Sequence, residues 1–309
     1  MATRPAKTGS PLHRARLPHY ARRIPTGAHP LPYDYTRIHT RLDRGVLFAT
    51  FDNPPANVIT LELFGELLSF TEEVEKDDAV RVVVFQSADP DFFLAHFDAE
   101  VLISAPVEAE PRRAAELGAF HVMCERARTM PKATIAKIAG RVGGGGSEFA
   151  SSCDMRFGVL GKTKVCQMEV ALGILPGGTG TQRLPRLVGR GRALEIILGS
   201  DDIDAETAER WGYLNRAFAP GEIDAFVDNL AHRIAAFPPG AVALAKQAVL
   251  SAEGDVRTGL LEEAYLFQRT MATPEAKRNM RAFMALGGQT REGELRVGAL
   301  GLEAARKDS

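Results

Sequence analysis

Residues 143–148 read GGGGSE, a run of four glycines closed by a carboxylate and set between two apolar segments. Such a run is costly to order, because glycine loses more backbone freedom on folding than any other residue. Three readings compete. A dinucleotide-binding turn needs G-x-G-x-x-G, and the sixth position counted from Gly143 is Glu148. A phosphate loop needs a lysine after its glycines, and none follows. The third reading is a strand-to-helix corner that presents its own backbone. The first turn of a helix carries unpaired N–H donors and partial positive charge. Glycines there let another molecule come close, and an oxygen that gains charge in a reaction would be stabilised. Tight packing of a helix on a sheet also favours glycine. The residues of this stretch alone leave both uses open.

The surrounding chain alternates strand and helix signals. VLFATF (residues 46–51) and VRVVVFQSA (80–88) are short, apolar and β-branched, as strands buried on both faces are. Between them Leu61, Phe64, Leu67, Leu68 and Val74 recur at helical spacing. Asn53 to Asn57 (NPPAN) reads as a turn. A long helix is predicted over 111–129, strands over 133–140 and 155–160, and a helix start at EFASSC (148–153). Repeated β and α segments imply an α/β domain. Beyond Pro220 the pattern is helical, over 222–237, 241–252, 257–272 and 274–286. The predicted divisions are a basic, Pro-rich arm (1–33), a core (34–220), a helical region (221–290) and a polar tail (291–309) with room for a short helix.

Composition narrows the function classes. Of 309 residues, 45% are hydrophobic and 25% charged, the make-up of a globular protein. A formal net charge of −1 gives no strong field for nucleic acid. No apolar run approaches the roughly 18 residues of a membrane span. Cys124, Cys153 and Cys166 form no C-x-x-C pair, which suits unpaired thiols in a reducing, cytoplasmic setting. The arm holds six arginines and lysines, no acid and six prolines, and reads as an extended segment lying on its own or a neighbouring subunit.

Several ordered motifs share one frame across 131–215: the glycine-rich turn with its following acid, Cys153-Asp154 before a strand, the run from Glu169 through PGGTGTQRL, and A-E-R-W-G-Y-L-N. Together they resemble the crotonase family, the enoyl-CoA hydratase/isomerase superfamily, over roughly 35–286, closest to its two-glutamate hydratases. The resemblance implies a spiral of ββα repeats with a helical C-terminal trimerisation region. It implies an acyl-CoA thioester substrate, a homotrimer or hexamer, and no metal or redox cofactor, since coenzyme A is part of the substrate. The resemblance also assigns roles. The N–H groups of Gly145 and Phe97 would form an oxyanion hole. Glu148 and Glu169 would be the two catalytic carboxylates, with Glu169 delivering the α-proton and Glu148 activating water. Ala56, Ala95, His96, Asp98, Gly144 and Gly177 would contact substrate. Both glutamates sit among apolar neighbours, a poor match for an ordinary solvated glutamate.

The departures concern the substrate. His96-Phe97 stands where small residues are usual, and His96 reads more readily as a surface or adenine-side residue than as an active one. Met168 replaces a proline. Lys277, Arg278 and Arg281 read as a solvated helix face, with a CoA phosphate as the other use. Asp154 reads as a turn tie, and Trp211 as packing. The alternatives are isomerisation, retro-aldol cleavage or thioester hydrolysis on the same oxyanion hole, or a non-catalytic protein on the same fold.

Overall fold

In the computed structural model, described for residues 33–106, 110, 112–250 and 256–306, the chain opens on a hairpin. Strands β1 (Ile38–Asp43) and β2 (Val46–Phe51) pair antiparallel across Arg44 and Gly45, both at positive φ, as a tight two-residue turn requires. Helix α1 (Leu61–Lys76) follows. Thr60 caps it by accepting Leu63 N–H, and the helix buries Leu63, Leu67, Phe70 and Val74. Next come β3 (Val82–Ser87), β4 (Phe92–Leu94), α2 (Ala99–Ser104) and α3 (Ala119–Thr129). Then come β5 (Ala133–Ile138), β6 (Arg141–Gly143), α4 (Gly144–Ser152), β7 (Met155–Val159) and β8 (Lys164–Cys166). A 3₁₀ turn (Val170–Leu172), α5 (Gly180–Val188), α6 (Arg190–Gly199), β9 (Ile203–Asp204), α7 (Ala205–Trp211) and β10 (Arg216–Phe218) complete the α/β part.

Two sheets form. The larger has the order β1-β2-β3-β5-β7-β10, parallel except for the first pair. The smaller has the order β4-β6-β8-β9, parallel except for the last pair. Each consecutive pair (β3/β4, β5/β6, β7/β8) puts its first strand in the large sheet and its second in the small one. This is the repeating unit that the resemblance implied. The large sheet is covered on both faces, which explains its continuously apolar strands. On one face Phe48, Val84, Ile135 and Phe157 pack with Val227 and Ala231 of α8 (Ile223–Ala235). Phe85 meets Phe70 of α1 and Phe149 of α4.

The C-terminal helices are α9 (Pro239–Leu250), α10 (Val256–Met271), α11 (Pro274–Ala285), α12 (Arg291–Glu294) and α13 (Val297–Arg306). Met271, Met280, Phe283 and Leu300 pack on Met168, Leu172 and Ile174, so these helices wall one side of the loop after β8.

Three local expectations need correction. Helix α3 starts at Ala119 on a Gly118 N-cap, because 112–117 carries no apolar stripe and is largely exposed. Helix α4 starts at Gly144 rather than at Glu148, since the glycines form its first turn. The stretch read as a polar tail contains two helices, and α13 buries Val297, Leu300 and Ala304. All of the arm except Tyr33 lies outside the described residues. No helix among the described residues is long and apolar enough to cross a membrane.

Candidate active site

The glycine run is the corner between β6 and α4, and it packs against the loop after β4. Three of its positions admit no side chain, the first being Gly143, where a Cβ would lie 2.8 Å from Ala95 O. Gly144 has φ +42°, and a Cβ there would lie 2.9 Å from His96 Cβ and 3.1 Å from Glu169 Oε1. A Cβ on Gly146 would overlap the carbonyl of Leu94. Close approach therefore selects glycine at all three positions. Gly145 is the second residue of α4, where N–H groups lack an intrahelical acceptor. A Cβ at Gly145 would sit 3.3 Å from Phe97 N, so the two proposed donors are neighbours.

The Phe97 peptide is oriented by a parallel bridge to Ile59. Ile59 N–H donates to His96 O (2.7 Å), and Asp98 N–H donates to Ile59 O (3.1 Å). In such a bridge the N–H of the central residue points away from its partner strand. Phe97 N–H is thereby turned from Ile59 toward the side where Gly145 lies.

Both glutamates are buried, and each is held. Glu148 is the fifth residue of α4. Its Oε1 accepts the N–H groups of Gly178, Thr179 and Gly180, each at 2.8 Å, from the residues entering α5. Three converging donors at a helix start form a cradle for a carboxylate oxygen. Glu169 precedes the 3₁₀ turn, and both its oxygens accept from Gln167 Nε2 at 3.1 Å. A Cβ placed on Gly180 would lie 3.2 Å from Glu148 Oε1 and 3.5 Å from Gln167 Nε2, so the two carboxylate supports adjoin.

A cavity of about 210 Å³ joins these groups. Phe97, Gly145, Glu148, Glu169, His96 and Gly177 all line it. Its remaining wall is apolar and includes Leu102, Phe120, Met168, Phe267 and Met280. Phe120 stacks on Phe64 (5.7 Å) and meets Phe97 edge-on (6.0 Å). Four expected contact residues lie outside this lining. Ala56 and Ala95 pack with Val58 and Phe92 in a separate cluster. Asp98 caps α2 through Glu100 N–H. Gly144 lies against His96 and Glu169.

The enoyl-CoA hydratase/isomerase family pattern matches residues 41–287. The chain belongs to this family. The short-chain-enoyl-CoA hydratase of Clostridium acetobutylicum is 33% identical over 241 residues, covering 77% of this chain and 91% of the relative. The crotonyl-CoA hydratase of Syntrophomonas wolfei is 34% identical over 230 residues, covering 74% and 86%. A crystal structure of a candidate enoyl-CoA hydratase from Streptomyces avermitilis superposes with a TM-score of 0.80. It is 38% identical and covers 88% of this chain and all of its own.

Several details of this hydratase/isomerase family member lie beyond its motifs. His96 is not a surface residue. Its Nε2 is 2.7 Å from Glu294 Oε1, 198 residues away, and its Nδ1 is 2.9 Å from Phe97 O. Burial opposes the charged imidazolium, but the Glu294 carboxylate, the Phe97 carbonyl and, more distantly, Glu169 outweigh it and raise the pKa to about 9. Glu294 is likewise buried, and His96, the Gln289 N–H and Arg141 overcome that to lower its pKa. Lys277 is not on a solvated face either: its Nζ donates to the carbonyls of Leu102 and Ile103 at the end of α2. Asp154 accepts from Thr134 N–H and pairs with Lys246, and so ties a turn. Arg192 lies over Trp211. Gln167 and Phe120 are site residues that the sequence reading does not single out, although Gln167 stands only two residues before Glu169. Nothing local in the sequence points to Glu294.

The His96 pair also links stability to pH. A group whose pKa rises from 6.5 to about 9 on folding stabilises fully below the lower value. That stabilisation is lost as pH climbs through about 9. The melting temperature of the protein is expected to fall across this window more steeply than that of His96→Gln, as differential scanning calorimetry at a series of pH values would show.

Proposed function

We propose that this protein adds water reversibly to 2-enoyl-CoA thioesters. The observation that carries the reading is the convergence of two buried carboxylates and two adjacent backbone donors on one apolar cavity. The thioester oxygen would accept from Phe97 N–H and Gly145 N–H, which stabilise the negative charge that gathers there. Water would lie between the carboxylates. Glu148, with one oxygen held by three N–H groups, takes a proton from the water as its oxygen bonds to the β-carbon. Glu169 gives its proton to the α-carbon, and the thioester carbonyl is restored. The net transfer from Glu169 to Glu148 is reversed through solvent before the next turnover. The apolar wall accommodates the acyl chain.

The reaction as written uses only side chains, backbone and water, so we assign it no metal or redox cofactor. A trimer, or a pair of trimers, would cover α9, which buries none of its residues within the protomer and exposes Leu244 and Val249. Three buried free thiols suit a cytoplasmic setting. The test is loss of the enoyl-thioester ultraviolet absorbance with crotonyl-CoA and with longer and aromatic enoyl-CoAs. Hydration of at least one is expected. Binding across the panel without turnover would overturn the assignment. Light scattering on the same preparation should give three or six times the protomer mass.

A further inference from the structure

We propose that the C-terminal segment 287–294 is a latch that positions the oxyanion hole, with Glu294 acting through a charged His96 to hold the Phe97 peptide. This rests on the hydratase reading of the site and adds positioning residues to it. The geometry fixes the proton arrangement. Phe97 O can only accept, so His96 Nδ1 must carry a hydrogen. Glu294 Oε1 already accepts Gln289 N–H (2.7 Å), which favours its carboxylate form, so His96 Nε2 donates to it as well. An imidazole donating from both nitrogens is an imidazolium.

The consequence falls on two successive peptides. The first, whose N–H serves the hole, is pinned at its carbonyl by Ile59 N–H. The second is pinned at Phe97 O by His96 Nδ1–H. The second peptide is also held at its other end, where Asp98 N–H donates to Ile59 O. Without the His96 bond both peptides would hang on Ile59 alone, free to tilt about that bridge and shift the Phe97 N–H from the thioester oxygen. The latch grips further along the same loop. Gln289 accepts Ala99 N–H with Oε1 and donates to Asp98 Oδ1 (2.8 Å) with Nε2. Arg291 pairs with Asp89 and Asp91, just before β4. Gln289 itself has φ +62°, an uncommon conformation for a residue with a side chain. A Cβ on Gly293 would overlap the carbonyl of Gly287, so the segment is tightly folded.

The imidazolium also places a positive charge beside the hole, where the reacting thioester gathers negative charge. The titratable groups bearing on His96 are Glu294 of α12 and Glu169 before the 3₁₀ turn; Arg141 of β6 acts on Glu294. Phe283 of α11 meets the ring edge-on and does not titrate. Asp98 on the same loop is engaged with Gln289.

The test is a double-mutant cycle on the full-length protein. Glu294→Gln is expected to lower kcat for crotonyl-CoA about 10–100-fold, the scale of a misplaced catalytic group, with KM little changed. The alkaline limb of its kcat profile should move to lower pH, because the buried imidazolium loses its counter-charge. Glu294→Asp should recover part of kcat. In a His96→Gly background, Glu294→Gln should have no further effect on kcat. An equal kcat effect in both backgrounds, or a Glu294→Gln enzyme with the parent's kcat and pH limb, would overturn the proposal.

A readout without turnover separates this from the hydratase reading. The ultraviolet absorbance of a bound dienoyl-CoA shifts to the red when donors polarise its carbonyl. A shift in the parent that shrinks in Glu294→Gln supports the latch even if water is never added. A shift of equal size in both sinks the latch and leaves the oxyanion hole standing. A parent with neither shift nor turnover would overturn both readings. Should Glu294→Gln fail to fold, His96→Gly and Gln289→Ala carry the same comparison, and both are expected to shrink the shift.

Discussion

Glu169→Gln is expected to lower kcat for enoyl-CoA hydration by about 10²–10⁴-fold, the usual worth of a positioned general acid. KM should change little, because the thioester would still be bound by the hole and the apolar wall. The substitution suits its surroundings. Gln167 Nε2 now donates to both Glu169 oxygens, and Gln167 Oε1 has no partner among the described residues. Turning the Gln167 amide over would offer that oxygen to the new Nε2 at position 169. The fold and the cavity should therefore survive, and the loss would belong to the chemistry. A second measurement isolates the step. Exchange of the α-protons of a saturated acyl-CoA with deuterated solvent needs a group at the α-carbon and the oxyanion hole, but no attacking water. Glu169→Gln should abolish it. A variant that exchanges and hydrates at the parent's rate would remove Glu169 from the mechanism.

How much of this is legible without the structure depends on the range of the interaction. The alternation of β-branched runs and helical stripes is local, and it locates β2, α1, β3, β5 and β7 to within a few residues. The glycine run is readable as a strand-to-helix corner with a close neighbour, although its residues alone leave a presented backbone and tight packing equally open. Which neighbour is not readable. Gly144 meets His96 and Glu169, and Gly146 meets Leu94, from chain 25 to 52 residues away. Helix α2 leaves no periodic signal because six residues give too short a stripe to count, although Asp98 with Glu100 two residues on is a usable cap signal. The 287–294 segment looks like a charged tail because its buried members are a glutamate and two glycines. Glu294 is buried by its pairing with His96, and pairing across 198 residues leaves no trace in composition or periodicity. The departures at His96 and Phe97 are visible in the sequence, but their meaning comes from the partner.

Glu148→Gln and Glu148→Ala should both be inactive in hydration, and they should differ in everything else. In Glu148→Gln the amide oxygen can take the place of Oε1 and accept the N–H groups of Gly178, Thr179 and Gly180, so the cradle stays filled. The amide nitrogen then stands where Oε2 was, and a primary amide cannot take a proton from water at neutral pH. A loss of about 10²–10⁴-fold in kcat is expected, with a melting temperature close to the parent's. Alanine leaves the three donors without their shared acceptor inside the protein, and each buried unpaired group costs about 1–3 kcal/mol. Water entering the void would offset part of this, so the total should fall below the sum. Glu148→Ala should therefore melt well below Glu148→Gln, as calorimetry of the two variants would show. The exchange experiment divides the two glutamates. If Glu148 serves the water and Glu169 serves the α-carbon, Glu148→Gln keeps α-proton exchange while losing hydration. Loss of exchange in both variants would mean that the carboxylates act as one unit, and the separate roles assigned to them would fall.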